Sequence, residues 1–159
     1  MFKRRILFIL IFTLLYQSPL LSKSTSFSEF SSRNLSKYFS GIVALENQKN
    51  SDALEFFNTS KILINRHDPY LEKLVTTLVL EDKVAQAINL IRTNDEKNNS
   101  QFFEAYVLLA LDHLKKNNIK KALEVLSEVP EEFKRDRFNF IIVNSLIQYA
   151  NVFKYKKVS

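Results

Sequence analysis

An all-α protein assembled from recurring helical hairpins is what this chain of 159 residues predicts, on three observations. From Asn34 onward the apolar residues recur at the three- and four-residue intervals of a helix face rather than alternating as in a strand. A five-residue block occurs three times, as Ala53-Leu54-Glu55-Phe56-Phe57, Ala87-Ile88-Asn89-Leu90-Ile91 and Ala122-Leu123-Glu124-Val125-Leu126, with its alanines 34 and 35 residues apart. A single glycine, Gly41, and three prolines leave little material for tight β-turns or for phosphate-cradling loops.

The first segment reads as an address rather than a fold. Lys3, Arg4 and Arg5 precede an apolar run from Ile6 to Tyr16 and the polar Gln17-Ser18-Pro19, the layout of a secretory signal peptide. The run is too short for a spanning helix, which needs about 20 residues. Small residues at Ser22 and Ser24 suit cleavage before Thr25. Left uncleaved, residues 1–21 would instead anchor the chain in the inner membrane. Either way the body is expected outside the cytoplasm, in a bacterial periplasm, with 1–24 as signal, 25–33 as linker and 34–159 as the folded domain. Sequons at Asn34, Asn58 and Asn98 match by chance unless the host glycosylates.

Charge argues against a nucleic-acid partner. Of the 23 basic side chains, Lys3, Arg4, Arg5 and Lys23 lie in a leader without acids, which leaves 19 basic against 17 acidic groups in the body. A nearly neutral body lacks the field that polyanion binding requires. Lys154, Lys156 and Lys157 form only a solvated end. The absence of cysteine removes disulfides, thiolate metal sites and thiol nucleophiles together.

Helices are expected near 34–47, 51–64, 69–81, 83–92, 101–116, 119–128 and 137–153. Asp68 is the expected N-cap before Pro69, and Ser100 the expected N-cap of the following first helix. Gly41, Val75 and Ala110 stand twelve residues before the three block alanines. Antiparallel helices approach closely where such small side chains meet, with larger neighbours filling the flanks. Gly41, Ala53, Phe57, Ala87, Ile91, Ala110, Ala122 and Leu126 are therefore the expected packing positions.

This pattern resembles the tetratricopeptide repeat. Ala53 with Phe57 fits its second helix best, while Ala87 with Ile91 and Ala122 with Leu126 keep the spacing with aliphatic residues. The chain departs from the family in having no tryptophan and no closing proline at the usual place, and in lacking glycine in the second and third copies. The resemblance covers Asn34 to the C-terminus and implies about three helix pairs and an incomplete fourth, stacked as a short right-handed superhelix. It also implies that first helices line a concave face. Tyr38, Glu72 and Val107, with Ile42, Thr76 and Leu111, would then form two rows suited to a peptide or protein partner.

Catalysis is not expected. His67 and His113 have no histidine partner at three or four residues, so neither starts a metal site, and no cofactor is implied. Glu81-Asp82 and Glu131-Glu132 are sequence neighbours that diverge on a helix. The last helix, from Phe138 to Phe153, is apolar on more than one face and has no polar cap after it. That suggests the N-terminal part of a longer protein, or a homodimer formed through this helix. Two functions are expected on these grounds: an exported interaction scaffold, or the helical accessory portion of a larger cell-envelope enzyme such as a cell-wall hydrolase.

Overall fold

The computed structural model describes residues 30–65, 67–95 and 102–156, and it is helical throughout, with no strand among the described residues. The signal or anchor at 1–24, most of the linker at 25–33 and the sequon at Asn98 lie outside them. No helix among the described residues is long and apolar enough to cross a membrane.

The chain runs through α1 (Ser32–Glu46), α2 (Asn50–Thr59), a 3-10 turn (Lys61–Asn65), α3 (Asp68–Leu80), α4 (Val84–Asp95), α5 (Phe103–Lys115), α6 (Ile119–Ser127), a short α7 (Glu131–Lys134) and α8 (Arg137–Lys156). Contacts join near neighbours in chain order. Each hairpin pairs internally as α1 with α2, α3 with α4 and α5 with α6, and the second helices pack onward, α2 on α3, α4 on α5 and α6 on α8. First helices also meet in series, α1 with α3, α3 with α5 and α5 with α8.

The three hairpins turn in the same way. Gln48, Asp82 and Asn117 adopt the left-handed conformation, with φ of 59°, 56° and 58°. Behind each, a pair of backbone bonds closes the helix end: Lys49 N–H to the Ala44 carbonyl at 2.9 Å and Gln48 N–H to Leu45 at 2.9 Å, with the same pairs at Lys83/Leu78, Asp82/Val79, Asn118/His113 and Asn117/Leu114. This is the Schellman arrangement, which satisfies carbonyls that a helix end otherwise leaves open. These residues stand five before Ala53, Ala87 and Ala122, so the repeat extends into the backbone.

Ala53, Phe57, Ala87, Ile91, Ala110, Ala122 and Leu126 are all fully buried, and Gly41 is buried too. The larger core cluster joins the first two hairpins to the start of α5. A smaller one, around Phe103, Val129 and Val143, fastens α8 to α5.

Several element ends differ from expectation. The second helix stops at Thr59 rather than running to 64, because the Phe57 carbonyl is taken by the Tyr70 hydroxyl while Ser60 Oγ donates back to the Phe56 carbonyl at 2.9 Å. Side-chain bonding of this kind competes with helix continuation. A 3-10 turn then carries Leu63 into the core. Asp68 is inside α3; the N-cap is His67, without a side-chain cap bond. Ser100 lies outside the described residues, and α5 has Phe102 at its N-cap. The four-residue α7 is an element that periodicity does not anticipate.

Candidate functional site

A groove of about 380 Å³ opens between α3, α5 and α8. Its walls are mostly apolar, with Val79 and Leu80 from α3, Phe103 and Val107 from α5, and Ile142 from α8; Thr76, Glu104 and Asn139 supply polar groups. Helix spacing explains the set. Thr76, Val79 and Leu80 lie within one turn on one side of α3, as Phe103, Glu104 and Val107 do on α5. Such a surface takes up apolar side chains and holds a few polar groups ready to orient them.

The six residues expected to line a concave face are divided. Thr76 and Val107 come together in this groove. Ile42 is half-buried against the larger core cluster, and Leu111 is 44% exposed on α5; neither is among the residues lining the groove. Glu72 stands at the surface in an ion pair with its neighbour Lys73 at 3.0 Å. That hydrogen bond is the main cause raising the Lys73 ammonium above its ordinary value, with Glu104 adding to it from α5.

Tyr38 requires a correction. It is 6% exposed and belongs to the core rather than to an open face. Its ring stacks on Tyr70 with centroids 5.6 Å apart, meets His67 edge-on at 4.8 Å and tilts against Phe57 at 6.0 Å. Burial raises its phenol above the ordinary value and pushes that of Tyr70 up to about 12. An aromatic cluster of this size contributes through area and ring geometry, which makes Tyr38 a packing residue.

Compared with known proteins, the chain matches no family model, no curated protein and no solved structure.

The histidines and three of the four paired acids, Glu81, Asp82 and Glu131, have structural roles. His67 stands at the N-cap position of α3 with its ring edge-on to Tyr38. His113 is half-buried in α5, where burial first and then the Arg92 charge hold its pKa below the usual value. Glu81 accepts a hydrogen bond from Ser51 Oγ at 2.8 Å, Asp82 forms the second turn, and Glu131 pairs with Lys134 at 2.8 Å. No group of three or more His, Asp or Glu side chains converges to hold a metal among the described residues.

Val79, Leu80, Phe103, Glu104, Asn139 and Ile142 are groove residues that counting back from the alanines misses. Val79 lies one helical turn after Val75 on the same side of α3. Asn139 and Ile142 come from α8, which α7 displaces from the repeat register. Leu80 carries the one usable signal, an apolar residue in the last turn of a helix.

Proposed function

We propose that this chain is an exported interaction scaffold that holds an apolar segment of a peptide or protein partner in the groove between α3, α5 and α8. The carrying observation is the groove itself: three successive first helices bring Leu80, Val107 and Ile142 to one opening with Glu104 beside them. An apolar anchor on the partner would fill the cleft, and a donor or cation next to it would meet Glu104.

The stacking of the hairpins as a short right-handed superhelix of the tetratricopeptide kind belongs to the same reading. It is supported by the 34- and 35-residue spacing of Ala53, Ala87 and Ala122, by the three identical turns and by the serial contacts of the first helices. Export rests on the charge and hydropathy pattern of residues 1–24 alone.

Site-directed photo-crosslinking in cells tests the groove. A crosslinking residue at Val107 should trap a discrete partner that is not trapped from exposed Glu55 on α2, and Leu80→Glu should suppress the adduct. Equal adducts from both positions, or none from Val107, would remove the groove from consideration.

A further inference from the structure

Seventeen, thirteen and ten residues before each block alanine lies one row on the first helix of that hairpin. In the second hairpin the row is Tyr70, Leu74 and Thr77, none more than 2% exposed. In the third it is Ala105, Leu109 and Asp112. The preceding hairpin covers the row both times: the Phe57 ring meets Tyr70 edge-on at 5.8 Å, and Arg92 pairs with the Asp112 carboxylate, which is only 10% exposed.

The first hairpin carries the same row as Ser36, Ser40 and Val43, and there it is open. Val43 is 61% exposed and Phe39 beside it 60%, and with Phe56 they line a cleft of about 500 Å³ between α1 and α2. Among the described residues this cleft is an unfilled copy of a seat that the molecule fills twice within itself. At the opposite end, α8 turns Val143 and Ala150 inward and presents Phe138, Ile141, Tyr149 and Val152 outward, each at least 50% exposed. Successive spacings of three, eight and three residues place them on one stripe of the helix.

We propose that α8 of one copy seats in the α1 cleft of a second copy, head to tail. There α8 would stand against α1 as α2 stands against α3 and α4 against α5. Both surfaces are carried by the same chain, at opposite ends of the described helices, so each copy has one seat and one insert to offer. Between Phe138 and Val152 the outward stripe of α8 contains no charged residue, and Lys49 and Asp52 line the cleft alongside its apolar members, so closing the contact over that stretch strands no charge on the stripe. Apolar patches of this kind on both partners favour association. A contact between two different surfaces is heterologous, so it propagates into rings or filaments rather than stopping at a symmetric dimer.

Sedimentation and light scattering of the full chain over a concentration series test this, with wild type, Val43→Glu and the double variant Tyr149→Glu/Val152→Glu. All three changes are at exposed positions, and circular dichroism checks that helicity is retained. Wild type should grow in mass with concentration, and each variant alone should stay monomeric, its self-association weakened by about tenfold or more. Mixed in equal amounts, the variants should form a dimer that grows no further, because one intact seat and one intact α8 remain between them. Monomeric wild type would overturn the proposal. So would assembly of Val43→Glu at wild-type strength, which would mean an α8-to-α8 dimer or adhesion through residues 1–29, and so would a mixture that stays monomeric.

Discussion

Gly41 lies directly against the ring of Phe57: a Cβ placed on the glycine would stand 2.8 Å from Phe57 Cε1 and 3.0 Å from Cδ1. The ring has no room to retreat, because Phe57 is fully buried and packed by Tyr38 and Tyr70. Gly41→Ala is expected to destabilise the protein by about 1–3 kcal/mol through overpacking. The third hairpin has Ala110 and Leu126 at the corresponding positions, both fully buried. Adding Phe57→Leu to Gly41→Ala should therefore recover part of the loss, with a coupling of about 0.5–3 kcal/mol in a double-mutant cycle measured by urea unfolding. Purely additive effects would show that the two residues do not share the space.

A second test concerns the turns. Gln48 pays for its left-handed backbone, which costs an L-residue about 1–2 kcal/mol and a glycine nothing. Gln48→Gly should raise stability by about 0.5–1 kcal/mol, after allowance for the extra freedom glycine has when unfolded. Asn117→Gly should gain less, since asparagine tolerates this region better. A lower melting temperature for Gln48→Gly would contradict the turn geometry.

Much of this architecture is legible in the residues. Ala53, Ala87 and Ala122 announce the spacing, and all three are fully buried. The turns are not legible by the usual sign, because Gln48, Asp82 and Asn117 adopt a conformation normally signalled by glycine. Tyr38 is misplaced by counting because position along a helix does not reveal that His67 and Tyr70 close over it. Of the groove, Thr76 and Val107 follow from the register, but Asn139 and Ile142 do not, since α7 offsets α8 by an amount no periodicity encodes.

Ala87 offers a third measurement. It is fully buried in α4, whereas Ala85, two residues earlier, is exposed. Ala87→Leu should cost about 1–3 kcal/mol, and Ala85→Leu should be close to neutral because both residues favour helix and the site is open. Equal thermal melts for the two variants would count against close approach at Ala87.

The fourth is a dependence on pH. Hydrogen bonds from Lys116 and Arg92 hold the Asp112 carboxyl below its ordinary value of 3.8. It therefore adds stability that is fully present above that value and is lost as pH falls through the lower folded one. His113, held below its ordinary 6.5 chiefly by burial, takes up a proton in the unfolded chain first, so stability also declines as pH falls through 6.5. Melting temperature should drop in two stages on acidification. His113→Gln should flatten the upper stage and Asp112→Asn the lower, and a profile unchanged by both would show that other groups govern it.

Because the described helices make their main contacts with elements close to them in the chain, none of them is a keystone whose loss releases everything at once. Opening can begin at a terminus and advance one hairpin at a time. The small cluster of Phe103, Val129 and Val143 holds α8 with far fewer buried side chains than surround α3. Amide protons should accordingly be given up to solvent first along α8 and last near Leu74 and Val75, a gradient that runs with position along the stack rather than with depth below a surface.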